Sequence, residues 1–306
     1  MVINYIKHAN IDKTRWDHCI RNAVNGNIYA WSWYLDAVSE NWDALISEDY
    51  QFLMPLTWRQ KWGLKYLYRP LLSQQLGIFS IQKVDTDTVF EFLKHIPGKF
   101  RLIEITLNKY NSILAPGFES SRHVSCELDL ISEYSILESA YSQNTRRNLK
   151  KTEQNGLIYD QKVSTKDFLA LMWEDSSAGS AILLDPCNKI LLQALLKNMN
   201  TEQAGRIIGA RNPEGQLIAA VLLGHSHNKW YYLAPVNSDQ GREKRALFGI
   251  INQLIREQSG QTMTLDFEGS DISGLARFYK GFGAKVYYYN FIRRNKLPWP
   301  VRKLKG

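Results

Sequence analysis

Between residues 191 and 293, short apolar runs of strand length alternate with segments whose apolar residues recur at helical spacing. This alternation limits the fold more than any other feature, because strands with interposed helices must stack as layers on a mixed sheet. Apolar positions 191, 192, 195, 196 and 199 put one helical face over 191–199. Ala246, Leu247, Ile250, Ile251, Leu254 and Ile255 do the same over 242–258, with Gly260 as a stop. A shorter helix is expected over 272–281, opened by Ser270 and Asp271. Strands are expected over 205–210, 217–225, 229–234, 263–267 and 285–293.

The first half reads in a similar order. Strands are expected over 42–48, 50–58, 64–69, 75–80, 100–107 and 123–130, with a helix over 86–96. At the junction Ser142 is placed to cap a helix over 145–154, and Gly156 to close it. The class expected is α/β (α+β), with two related lobes at 1–130 and 131–306, each a mixed central sheet flanked by helices. The second lobe ends in a basic tail that carries Trp299.

Lys and Arg number 38 against 30 Asp and Glu, so the formal charge is 38 − 30 = +8. That excess favours polyanionic partners: phosphates, RNA or an anionic lipid surface such as that of the inner membrane. Cys19, Cys126 and Cys187 form no close pair, which excludes a disulfide framework and a cysteine-type zinc site. A reducing, cytoplasmic setting is expected, with buried structural thiols. The first residues lack a signal-peptide apolar region. The longest apolar run, 218–223, falls far short of the roughly 20 residues that span a bilayer.

Two stretches carry a family resemblance. Ser142-Gln143-Asn144-Thr145-Arg146-Arg147-Asn148-Leu149-Lys150-Lys151, followed by Gly156-Leu157, resembles the helix opening the second lobe of FemAB-like acyltransferases. Leu265-Asp266-Phe267-Glu268-Gly269-Ser270 and then Phe278-Tyr279-Lys280-Gly281-Phe282-Gly283-Ala284 resemble that family's final signature. The resemblance spans roughly 130–294 and implies two tandem GNAT-like domains. It also implies acyl transfer to an amine, in members associated with peptidoglycan bridges and cell-envelope polysaccharides. One departure stands out. Members that use acyl-CoA carry Gln/Arg-x-x-Gly-x-Gly/Ala after the central strand, whereas this chain has Asn237-Ser238-Asp239-Gln240-Gly241-Arg242, with one Gly.

The resemblance places Lys280 at the transfer centre, where an ammonium would hold a phosphate or the developing oxyanion. Asp266 and Glu268, two apart at a strand end, are expected on one face, where either could take a proton from the amine. Gly241, Arg242, Lys244 and Arg245 are expected to open the long helix and bind a donor phosphate. Arg146, Arg147, Lys150 and Lys151 repeat like charges at i, i+4, which an anionic substrate would offset. Arg69 and Tyr232 complete the candidate substrate-binding set. Each has an ordinary alternative: a solvated charged face, a cap, or packing. His225 and His227 lack a third ligand pattern, and no metal is expected.

No tightly bound cofactor is expected. The resemblance implies an anionic acceptor and a phosphate-bearing donor, either acyl-CoA or aminoacyl-tRNA. The absence of a heptad-rich insertion, which tRNA-dependent members often carry, tips the reading toward a small acyl donor. A non-catalytic basic binding protein on a degenerate GNAT scaffold is the competing class.

Overall fold

The computed structural model describes residues 1–113, 116–174, 185–269, 271, 273–299 and 302. The chain opens with β1 (Ile3–Ile6), α1 (Lys13–Asn22) and α2 (Ser32–Val38). β2 (Trp42–Ser47), β3 (Phe52–Lys61), β4 (Leu64–Leu67), β5 (Phe79–Ser80), α3 (Thr86–Lys94), β6 (Phe100–Thr106) and β7 (Glu119–Asp129) follow. Next come α4 (Tyr134–Ser139), α5 (Gln143–Gln154), β8 (Ile158–Asp160), α6 (Thr165–Glu174) and α7 (Pro186–Thr201). The remainder is β9 (Gly205–Arg211), β10 (Leu217–Ser226), β11 (Lys229–Asn237), α8 (Asp239–Glu243), α9 (Ala246–Gln258), β12 (Thr264–Asp266), α10 (Ser273–Lys280) and β13 (Lys285–Asn295).

Two compact units form. One comprises Met1–His123 with Tyr288–Gly306, the other Val124–Tyr287. Strand pairing explains why their limits differ from a single break at 130/131. Glu127–Asp129 pair with β12, so the end of β7 is built into the second unit. Phe291–Asn295 pair with Thr106–Leu102 of β6, so the end of β13 is built into the first.

In the first unit the strands run β1-β2-β3-β4-β6-β13, with β5 on β3. Leu45, Met54, Phe92, Phe100, Ile103 and Ile292 pack in its core. In the second the order is β7-β12-β11-β10-β9-β8. Its core joins Val221, Leu223 and Leu265 of the sheet to Ile250, Ile251 and Leu254 of α9. Each such side chain contributes about 1.5–3 kcal/mol on burial. No helix of the described residues is long and apolar enough to cross a membrane.

Local chemistry sets the helix ends. Ser142 Oγ accepts from the Thr145 amide at 3.1 Å, and Gly156 takes φ 60° just past α5, a conformation nearly free of strain only for glycine. Three expectations change. The strand over 75–80 shrinks to Phe79–Ser80, because side-chain amides replace a ladder there. Asn111 Oδ1 accepts from the Ile78 amide at 2.8 Å, and Asn108 donates to the Leu76 carbonyl at 3.1 Å. The helix over 242–258 is split, since Arg245 sits at φ 60° between α8 and α9. Cys187 is exposed, whereas Cys19 and Cys126 are buried. Ser270 and Ile272, expected at the start of α10, lie outside the described residues, as do 300, 301 and 303–306 of the tail.

Candidate functional site

β11 and β12 run parallel and pair at only three positions: Lys229 with Thr264, Trp230 with Leu265 and Tyr231 with Asp266. There β12 stops, and the Phe267 amide turns to the Cys126 carbonyl of β7 at 2.9 Å. β11 continues through Tyr232 to Asn237. Two parallel neighbours therefore splay apart beyond Tyr231. On the other side of β11 the register with β10 slips between Leu222 and Leu223, leaving Leu233 unmatched between Tyr232 and Ala234. Bulges of this kind re-aim backbone groups and collect beside active sites.

Aromatic residues close the apex of the splay. The Phe267 and Tyr279 rings stack at 4.6 Å, and Tyr232 lies 5.9 Å edge-on from Tyr279. All three are at most 4% exposed. The buried Tyr232 hydroxyl has no hydrogen-bond partner among the described residues. Leaving such a group unpaired costs about 1–3 kcal/mol, which a substrate acceptor atom would offset. Burial pushes the Tyr232 and Tyr279 phenols up, so both remain neutral donors.

Beside the apex, Asp266 (1% exposed) is fully engaged. It accepts from the Tyr287 hydroxyl at 2.7 Å, from Lys229 Nζ at 3.4 Å and from the Glu268 amide at 3.2 Å. Lys229 also pairs with Glu127 at 3.4 Å. Asp266 thus anchors a buried network, a different task from that of a free proton acceptor. Glu268 does not share its face through strand alternation, because β12 has ended and Glu268 stands at φ 56°. It is half-buried, and its charge helps burial push the Tyr279 and Tyr287 phenols up.

Lys280 ends α10 with its side chain exposed. The Ser142 amide donates to the Gly281 carbonyl at 2.9 Å, which joins this end to the start of α5. The end of α10 therefore abuts the start of α5, the helix that carries the cation cluster. Within that cluster Arg146 is spent on structure: it donates to the Ser139 carbonyl at 2.7 Å and the Tyr141 carbonyl at 3.2 Å, capping α4. Arg147 reaches Asn144 at 3.0 Å. Lys150 and Lys151 are exposed. Arg146 and Lys150 line a cleft between α4 and α5 together with Glu138 and Glu153, so its charge is mixed.

The loop after β11 is closed on itself. The Gly241 amide donates to Ser238 Oγ at 3.1 Å, and the Arg242 amide to the Ser238 carbonyl at 2.9 Å. The Arg242 guanidinium bonds the Asn237 carbonyl and pairs with Asp239 at 2.6 Å. Gly241 and Arg242 lie in α8 and Lys244 caps its end, so of the four only Arg245, the residue before Ala246, stands at the start of the long helix. Arg69 is exposed on the first unit, in the stretch after β4. His225 packs on Trp230 at 4.6 Å, while His227 occupies a left-handed turn. No group of three or more His, Cys, Asp or Glu among the described residues could hold a metal.

Tyr279, Tyr287 and Lys229 were not singled out by sequence reasoning. Tyr279 lies inside the Phe-Tyr-Lys-Gly stretch, but strand and helix tyrosines are most often packing residues.

The chain matches no protein-family model, and no curated protein significantly. Solved structures do resemble it. The crystal structure of FemX superposes with a TM-score of 0.67 at 12% identity, covering 99% of both chains. The chain has the FemAB-like, tandem-GNAT fold. A tandem GNAT protein from the clavulanic acid biosynthesis pathway shares it at a TM-score of 0.51 and 12% identity, over 97% of this chain and 99% of that one. So does the C-terminal domain of an Agrobacterium fabrum protein assigned as a lysylphosphatidylglycerol synthetase, at 0.54 and 11%, over 96% and 94%.

Proposed function

We propose that the protein is an N-acyltransferase that moves an acyl group from an activated donor to an amine acceptor. The observation that carries this reading is the splay of β11 from β12, bulged at Leu233, over a buried apex with an unpartnered tyrosine hydroxyl. An acyl carbonyl entering the splay meets strand amides as oxyanion donors. The amine attacks, its proton passes to Glu268 or to solvent, and the donor's oxygen or sulfur leaves with the bonding pair. Holding both reactants supplies much of the rate. Asp266 and Lys229 keep β12 fixed beneath the reaction.

For the donor, the closed loop favours the aminoacyl ester of tRNA over acyl-CoA. Gly241 and Arg242 spend their amides within the turn, and Arg242 spends its charge on Asp239. FemX aligns over 99% of both chains, so this chain carries no large insertion relative to it. The net charge of +8 and the exposed α5 lysines suit RNA. The acceptor class this reading carries is an amine on a cell-envelope precursor.

Calorimetric titration with acetyl-CoA and with aminoacylated tRNA, at low and moderate salt, tests the donor. The expected result is tRNA binding that weakens steeply with salt, and no acetyl-CoA binding. Saturable acetyl-CoA binding that weakens in Arg242→Ala would overturn the donor reading. A folded protein that binds neither would overturn the transferase reading in favour of a non-catalytic module.

A further inference from the structure

The β3–β4 hairpin of the first unit turns through Trp62 and Gly63, at φ 50° and 75°. Two-residue turns of this kind favour Asn-Gly or Asp-Gly, because the first residue must adopt the left-handed conformation. A tryptophan there is strained, and its ring stays outside the core: at 73% it is the most exposed large apolar side chain of the described residues. An indole kept at a strained turn tip, outside the core, points to a task at the surface.

Its surroundings are basic. Lys61 sits over the Trp62 ring at 4.9 Å, Lys65 over Trp58 at 4.0 Å and Lys99 over Tyr5 at 4.2 Å. Pairing Lys65 with Phe100 brings the start of β6 beside the hairpin tip. The Lys296 amide, bonded to the Arg101 carbonyl at 2.7 Å, adds the end of β13. One end of this sheet thus gathers Lys7, Lys61, Lys65, Lys99, Arg101 and Lys296. Acidic groups nearby include Asp43, 4.0 Å from Lys99, Glu40, paired with Arg59 at 3.3 Å, and Asp36, paired with His8 at 2.9 Å and Lys13 at 2.6 Å. Desolvation, with Lys65 and Lys7 nearby, holds the Lys99 ammonium below its ordinary value. Trp299, 71% exposed, lies on the stretch that Lys296 begins.

We infer that this end of the first unit is a docking surface for an anionic phospholipid bilayer, with Trp62 entering the headgroup layer and the surrounding cations facing lipid phosphates. An amphipathic indole flanked by lysines suits that interface. Stacking of RNA bases is disfavoured, because cations already cover the Trp58, Tyr68 and Tyr5 rings.

Flotation with phosphatidylcholine vesicles, with and without phosphatidylglycerol, at low and high salt, tests this on the full chain. Binding is expected only with phosphatidylglycerol, lost at high salt and accompanied by a blue shift of tryptophan emission. Lys61→Gln and Arg101→Gln should each weaken it about fivefold, and the pair roughly 25-fold. Lys197→Gln, the same charge change on α7 of the other unit, should leave it unchanged. Trp62→Asn should abolish the emission shift and weaken binding, yet raise the melting temperature by relieving the turn. Equal binding by the Lys61 and Lys197 variants, or no binding to either vesicle, would overturn the inference. So would a structured RNA bound through Lys61 and Arg101 in place of vesicles.

Discussion

Glu268 and Lys280 both belong to the final signature, but their settings differ. Glu268 is half-buried beside two neutral phenols, and Lys280 is exposed. On the transferase reading, Glu268→Gln should lower kcat about 10²-fold or more, the usual contribution of a positioned base, with the melting temperature unchanged. Equal turnover in both proteins would hand the proton to solvent. Gly241 is a packing constraint: a Cβ there would meet the Asn237 Oδ1 and the Ile218 carbonyl at 2.3 Å each. Gly241→Ala should cost on the order of 1–3 kcal/mol, read by urea unfolding, because the loop must shift off β10. His225 gives a pH signature. Burial against Trp230 holds its imidazole below the ordinary 6.5. The unfolded chain then binds more protons once pH falls below 6.5, so stability is unaffected above that value and declines below it. His225→Phe should flatten this part of the stability–pH curve.

Hairpins and helices divide by whether their chemistry is local. Ser142 and Gly156 frame α5 as their residue types dictate, and strands 217–226 and 285–295 follow from apolar runs. The break between α8 and α9 was not legible, because nothing in Lys244-Arg245-Ala246 advertises a left-handed arginine. Arg245→Gly should therefore stabilise by about 1 kcal/mol, since glycine adopts that conformation without the Cβ clash; thermal unfolding would show it. The same gap hid the engaged state of Asp266. Spacing placed it at a strand end, but Tyr287 and Lys229, which hold it, come from other strands. Arg146, too, looked like one of four equivalent cations until α4 presented its carbonyls. Sequence reads what a residue's neighbours along the chain decide. It is silent where a distant element supplies the partner.

At the scale of the molecule, the two units are not equal as folding pieces. Every core residue of the second, from Cys126 to Ala284, lies within one continuous segment. The first unit draws Ile292 and the β6 partner strand from the far end of the chain. A shared order of strands and helices in the two halves suggested similar lobes, but it could not reveal that β13 closes the sheet of the first. The consequence can be measured. A fragment spanning 124–287 should unfold cooperatively on its own. A 1–123 fragment should not, because β6 loses its partner along Leu102–Thr106 and the core loses an isoleucine worth about 1.5–3 kcal/mol. Adding a peptide of 285–299 to the 1–123 fragment should restore a cooperative transition whose midpoint rises with peptide concentration. Cooperative unfolding of 1–123 without the peptide would show that the returning strand is an ornament on a self-sufficient lobe.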